Sequence, residues 1–390
     1  MRFASRISRI EPSITLELDA RAKALQGKGE NVVNMAVGEP DFPAPRSVQA
    51  AAVKKIQSGD VRYTQAAGTP GLREAIARHL EATRGGRFDP SEITVCHSAK
   101  HALSGSLYAL VDHGDDVLVP LPAWASYFDL VRLAGATPLL VPGPMDEEGI
   151  HPDVAGLRKA LTPRTRMILI NSPNNPSGSV WTRAETEDVV RFALEHELWI
   201  LSDEIYRALV YEGEPAVSPA SLSQEARART VIIDGASKGY AMTGYRIGFL
   251  AGPKELAAAV AKLHSQTTGS PNAVSQAAYE QALRSPPPET ETMRRTFADR
   301  RTLLLEGLRE LGLPTPNPRG AFYAFPDVSK YVDARGSVGF CEDLLEQERL
   351  ALVPGAAFGM DTHVRLSYAT DVATIREALK RLGAFLKRRR

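Results

Sequence analysis

Seven short apolar runs dominate the middle of the chain: Ile93–Cys96, Val117–Val119, Pro138–Val141, Met167–Ile170, Leu198–Leu201, Val231–Ile233 and Ile247–Ala251. Stretches with helical spacing lie between several of them, as with Val189, Val190, Ala193 and Leu194 before the run at 198. Strands that are apolar throughout and joined by helices form a largely parallel sheet covered on both faces. The predicted fold class is therefore α/β, a mostly parallel seven-stranded sheet in a large domain. In such sheets ligands sit outside the carboxyl ends of the strands, so those ends are the places to look for chemistry.

At 390 residues the chain exceeds what one hydrophobic core usually serves. The expected division is an N-terminal arm and part of a small domain over 1–47, a large domain over 48–285, and a small α/β domain over 286–390 that both termini help to build. Near the start Ser13 follows Pro12 as a candidate helix N-cap. Val32–Val37 reads as a strand ended by the turn-rich Gly38–Pro43, and helices are expected to about Gly59 and, after Gly68-Thr69-Pro70-Gly71, through Leu80. Helical sequence runs from 252 to about 312, broken at Ser285-Pro286-Pro287-Pro288. Ala321–Phe325, a helix near 338–349, Leu350–Val353, Val364–Tyr368 and a last amphipathic helix complete the smaller unit.

Forty-seven basic against 46 acidic side chains give a net charge of +1, which argues against nucleic acid or an anionic membrane as partner. The basic tail Lys387-Arg388-Arg389-Arg390 reads as a solvated helix end. Two cysteines, Cys96 and Cys341, are too few for a disulfide framework or a structural zinc site. With no apolar leader and no run near the roughly 18 apolar residues of a membrane span, a cytoplasmic location is expected. His79, His97, His101, His113 and His196 show no metal spacing with carboxylates, so no metal is expected.

Five strand ends carry polar residues of a coherent kind. His97-Ser98-Ala99-Lys100 follows the run at 93 and opens a helix, which suits either an ordinary Ser98 cap or backbone N–H groups meeting a phosphate. Asn171–Gly178 follows the run at 167; it is either a plain turn or, with Pro176 fixing the backbone, a mount for the Asn175 amide. Ser202-Asp203-Glu204-Ile205-Tyr206 places a carboxylate at a buried strand end, costly unless paired with a helix N-terminus, an arginine or a protonated ring nitrogen. Tyr206 would share its side if a helix begins there.

After the run at 231 come Ser237, Lys238 and Arg246. The lysine can act as an amine nucleophile toward a carbonyl, and the hydroxyl and guanidinium can hold a phosphate. Arg365, inside Val364–Tyr368, is either paired internally or waiting for a carboxylate, which its fork geometry suits. A phosphate cradle, a carboxylate for a pyridinium, an aromatic hydroxyl, an amide and a Schiff-base lysine jointly specify pyridoxal 5′-phosphate (PLP).

From about Ser5 to Leu386 the chain resembles the class I/II aminotransferases of PLP fold type I, in the aspartate aminotransferase branch. The markers are Gly38-Glu39-Pro40-Asp41-Phe42, Tyr63, Ala67-Gly68, Asn171–Gly178, Ser202–Tyr206, Ser237-Lys238 through Arg246-Ile247-Gly248, and Val364–Tyr368. The resemblance implies that Lys238 forms the Schiff base and shuttles the proton, that Asp203 keeps the pyridine nitrogen protonated, and that Asn175 and Tyr206 bond the ring oxygen. It implies phosphate contacts from Ser98, Ala99, Lys100, Ser237 and Arg246. Trp124 would stack on the ring, the alternative being a core aromatic. Arg365 with the Gly38 backbone would bind the substrate α-carboxylate. Tyr63 would reach the phosphate of a neighbouring subunit, which implies a homodimer with shared sites.

Two departures bear on this. The phosphate turn has Ser98-Ala99 where relatives often have Gly-Gly, a change that leaves the backbone donors in place. The segment His264–Pro271 lacks the arginine that some aspartate aminotransferases lend from the other subunit. The branch without it uses a lysine at the position of Lys100 and a threonine at that of Thr15, both present here. The implied reaction is transamination between L-aspartate, or a similar acidic amino acid, and 2-oxoglutarate. Transamination of prephenate or aromatic substrates is the alternative within the branch. A PLP-dependent lyase or synthase is a second one, because the same lysine and ring serve both.

Overall fold

The computed structural model describes residues 4, 6–10 and 14–389, less the side chains of 9, 14–16 and 19. Twelve strands follow one another among the described residues. They are β1 (Val33–Asn34), β2 (Ile93–Cys96), β3 (Asp116–Leu121), β4 (Thr137–Pro142), β5 (Thr165–Asn171), β6 (Trp199–Asp203), β7 (Thr230–Gly235), β8 (Gly248–Ala251), β9 (Tyr323–Ala324), β10 (Leu350–Ala351), β11 (Val353–Pro354) and β12 (Val364–Ser367).

The central sheet has seven strands in the order β2-β8-β7-β6-β5-β3-β4. Each of the seven apolar runs of the sequence falls on one of them, those at 198 and 247 starting one residue before their strands. Every pairing is parallel except those of β8, which is antiparallel to β2 and β7. Residues of β2, β5, β6, β7 and β8 are almost all fully buried, as continuous Val/Ile/Leu runs require when both faces are covered. Register matters for function. Asn171 stands opposite Asp203 and Asp203 opposite Ile233, so the carboxyl ends of β5, β6 and β7 finish side by side.

A second core gathers Leu18 and Ala22 from the helix Ile14–Gly27, Phe297 and Leu304 from Glu289–Glu310, Phe340 and Leu344 from Gly336–Glu348, and Ile375 and Phe385 from Val372–Arg388. It surrounds the three-stranded antiparallel sheet β11-β12-β9 and the pair β1-β10. Ile205, Tyr206 and Leu209, just beyond β6, belong to the same core and lock it to the central sheet.

Some expectations change in extent. Only Val33–Asn34 of the run 32–37 pairs, with Leu350–Ala351, because the chain turns into the ligand-facing loop straight afterwards. The helix expected through Leu80 runs over Pro70–Arg84, started by a Thr69 cap and ended at Gly85, whose φ of +72° suits glycine. Ser13 lies outside the described residues. No described helix is long and apolar enough to cross a membrane.

Candidate active site

A cavity of about 420 Å³ opens where β2, β5, β6 and β7 end. It is lined by Gly38, Ser98, Ala99, Lys100, Trp124 and Asn175, and by Asp203, Tyr206, Ser237, Lys238, Arg246 and Arg365. Two predicted residues are not among them. Tyr63 is 99% exposed in the single chain and faces away into solvent. Thr15 falls in the helix Ile14–Gly27, but its side chain lies outside the described residues.

Lys238 follows β7 directly, on the one-turn helix Ala236–Gly239. Its Nζ donates to the Gly38 carbonyl and sits 5.9 Å from the centre of the Tyr206 ring. Burial, reinforced by Arg365 and Arg246 against the pull of Glu39, lowers its pKa to about 8. Such an amine is partly neutral near physiological pH, the form a nucleophile needs.

Asp203 is the last residue of β6 and 3% exposed. Burial raises its pKa to about 6, although the Tyr127 hydroxyl donates to Oδ2 at 2.7 Å and the Ile205 N–H donates to Oδ1. No described cation forms an ion pair with it. A buried carboxylate held by two donors and aimed at a cavity lacks the positive partner that a protonated ring nitrogen would supply.

Arg365, on β12, is 3% exposed and equally short of an ionic partner. Its Nη1 donates to Asn175 Oδ1 at 2.9 Å and its Nη2 to the Ala36 carbonyl at 2.8 Å, while its buried Nε has no partner among the described residues. The guanidinium lies 4.4 Å from the centre of the Tyr323 ring. Burial lowers its pKa, partly offset by Tyr323 and Tyr206. A buried, uncompensated guanidinium is unfavourable unless it awaits an anion, and a carboxylate matches its fork.

The phosphate cradle is backbone packed against backbone. Ser98 caps the helix Ala99–Leu110, accepting from the His101 N–H at 3.4 Å, and leaves the first helical N–H groups facing the cavity. Behind it stands Gly248, where an added Cβ would lie 2.5 Å from the Ala99 nitrogen, so only glycine fits. Arg246 completes the rim with Nη1 on the Thr243 carbonyl. Lys100 extends over the Trp124 ring, 4.6 Å from its centre, with Nζ 3.2 Å from Ser126 Oγ. Burial and Arg246 lower its pKa. Donor set, buried acid, half-buried amine and buried arginine fit a phosphorylated pyridine aldehyde with a carboxylate-bearing substrate.

Some lining residues escaped sequence reasoning. Tyr127 holds Asp203 and lies in the first turn of the helix Ala125–Leu133, three residues after Trp124 at its N-cap, a spacing that would have revealed it. Asn171 bonds the Asp203 carbonyl through Nδ2 and takes the Asn175 N–H on Oδ1. Tyr323 meets the Tyr206 hydroxyl at 2.9 Å. Its strand was recognised, but its pairing partner in space was not. Tyr206 itself lies on a turn rather than a helix. Cys96 is fully buried with its thiol pKa pushed up, in keeping with a small core residue. Cys96, His101 and His264 bring ligand-type atoms within 4.8 Å of one another. The two imidazoles stack face to face at 3.9 Å, so as placed their lone pairs do not converge on one ion.

Residues 30–382 match the family model for aminotransferase class I and II. The aspartate aminotransferase of Geobacillus stearothermophilus is 39% identical over the whole of both chains. The aspartate/prephenate aminotransferase of Thermus thermophilus is 41% identical over 99% of each. Among solved structures, the aspartate aminotransferase of Rhizobium meliloti superposes with a TM-score of 0.94 at 39% identity, over 100% of this chain and 99% of that one. That of Thermus thermophilus with maleate gives 0.93 at 40% identity, over 99% and 100%. With the match spanning nearly the whole chain, the protein belongs to the class I and II aminotransferases, with fold type I architecture.

Proposed function

We propose that the chain binds PLP through Lys238 and transfers an amino group between L-aspartate, or a similar acidic amino acid, and 2-oxoglutarate. The observation that carries this reading is one cavity lined by a half-buried amine of lowered pKa, a buried carboxylate without a cation and a buried guanidinium without an anion among the described residues. When bound, PLP supplies a carbonyl that amines condense with and a ring that takes up the electron pair left at Cα.

The chain's own residues do the rest. Lys238, partly neutral at physiological pH, would hold the cofactor carbonyl and, once free, move the proton between the substrate Cα and the cofactor C4′. Asp203, fixed by Tyr127 and the Ile205 N–H, holds a proton on the ring nitrogen. Arg365 takes the α-carboxylate while Asn175 and Tyr323 orient the guanidinium. Lys100, which lines the same cavity, accounts for acidic side chains. Maleate, named with the Thermus structure, is a dicarboxylate, which agrees with that selectivity. The name of the Thermus relative also supports prephenate as a second acceptor. The lyase alternative has no such support.

The reading includes a homodimer. Val53, Ile56, Val61 and Tyr63 are exposed together on and just after the helix Arg46–Gln57, a face suited to a second copy that would lend Tyr63 to its neighbour's phosphate. It also includes the division into 1–47, 48–285 and 286–390, with the small unit carrying Arg365 toward the large one as substrate binds.

A screen of the PLP-loaded protein against individual amino acids tests the reading. Aspartate and glutamate should convert the cofactor to its amine form. Release of ammonia with no keto-acid acceptor would contradict it.

A further inference from the structure

Beneath the cavity floor lies a buried ionic cluster that none of the roles above uses. Arg84 is the last residue of the helix Pro70–Arg84 and its side chain is 2% exposed. Its Nε donates to Glu204 Oε2 at 3.0 Å and its Nη2 to Asp234 Oδ2. Glu204 directly follows Asp203. Asp234 lies in β7, four residues before Lys238. One guanidinium thus clamps the two strand ends that carry the ring-nitrogen acid and the Schiff-base lysine. The remaining lone pairs are also spoken for: Ser202 and Ser218 donate to Glu204 Oε1, and the Gly235 N–H donates to Asp234 Oδ1.

We propose that Arg84 is a positioning residue for the reaction, fixing the ends of β6 and β7 against each other and neutralising the charge beneath Asp203 and Lys238. This rests on the roles given to Lys238 and Asp203 above.

Charge counting supports it. The groups facing the cluster are Arg84, Arg207, Glu204, Asp234, His79, Tyr240 and Tyr279. His79, 3.2 Å from Arg84 Nη1, is kept neutral by burial and by Arg84, its pKa down at about 3. Two cations therefore balance two carboxylates. Glu204 and Asp234 both push protons onto Asp203, and the Asp203 charge in turn favours the protonated lysine. Loss of Arg84 leaves one negative charge uncompensated in a dry interior, where it acts on both groups at long range.

The test is the midpoint of the pH titration of the bound cofactor's visible absorbance in full-length, PLP-loaded protein. Arg84→Met should move it upward by on the order of one pH unit, and Arg84→Lys by less than half as much. Arg84→Met with Asp234→Asn removes one charge of each sign and should bring the midpoint back, whatever happens to the melting temperature. If Arg84→Met does not fold, Asp234→Asn alone should move the midpoint downward. Lowered melting temperatures with every midpoint unmoved would make the cluster merely structural and overturn the inference. Absence of lysine-bound cofactor in the unsubstituted protein would overturn the underlying assignment and the inference together.

Discussion

Arg365 Nη1 donates to Asn175 Oδ1 across 2.9 Å, a bond that joins β12 of the small sheet to the loop after β5 of the central one. Both residues are buried, and the arginine has no acidic partner among the described residues. The bond holds the guanidinium edge-ready for a carboxylate that the chain itself does not provide.

Truncating a buried, hydrogen-bonded charge partner costs about 2–5 kcal/mol. Arg365→Ala should therefore lower kcat/KM for aspartate by on the order of 100-fold or more, and Arg365→Lys should restore little of it because the fork is lost. Reductive trapping of PLP on Lys238 should survive in both variants. Steady-state kinetics with aspartate and glutamate check the first part; an undiminished kcat/KM would remove Arg365 from substrate binding.

Asp203 separates activity from stability. Its carboxyl titrates at about 6 in the folded chain, against about 3.9 for an unfolded aspartate. Its contribution to stability is complete below the unfolded value and is lost as pH rises through about 6. The loss is on the order of 3 kcal/mol. Cofactor-free Asp203→Asn should then melt higher than the parent at pH 7, with the gain disappearing near pH 4, while transamination collapses because an amide cannot hold the ring proton. Paired melting curves at the two pH values decide this, and a variant less stable at pH 7 would count against it.

Ser98 has φ +127° and ψ 167°, a region that favours glycine. Its hydroxyl offsets part of the strain by capping the helix Ala99–Leu110. Ser98→Ala keeps the strain and loses the cap, costing about 1 kcal/mol. Ser98→Gly loses the cap but sheds the strain, and should come out as stable as the parent or up to about 1 kcal/mol more stable. Denaturant melts of the two variants should rank Gly above Ala; the reverse order would mean that Ser98 is relaxed.

Lys100 should matter only for acidic side chains. Lys100→Ala is expected to reduce kcat/KM for aspartate roughly tenfold and to leave that for alanine nearly unchanged. An equal loss on both substrates would place Lys100 in cofactor binding alone.

The sequence made the large sheet legible because its strands are buried on both faces, and continuous Val/Ile/Leu runs are hard to mistake. Lys238, Asp203 and Asn175 were legible as cavity-lining residues for the same reason, since polar residues that follow such a run face the ligand crevice. Residues whose importance comes from a distant partner were not. Tyr323 acts through Tyr206, 117 positions away, and Arg84 through Asp234, 150 positions away. No local pattern encodes those pairs. The overextended strand at 32–37 has a related cause: beyond the paired Val33–Asn34, its apolar residues serve the small unit's core and the cavity wall rather than a ladder.

The most direct test is a single half-reaction. PLP-loaded protein mixed with L-aspartate, in the absence of any keto acid, should convert fully to the pyridoxamine form and release one equivalent of oxaloacetate per active site, and Lys238→Ala should abolish both. Persistence of the pyridoxal form with aspartate and glutamate alike, or conversion that survives loss of Lys238, would contradict the account.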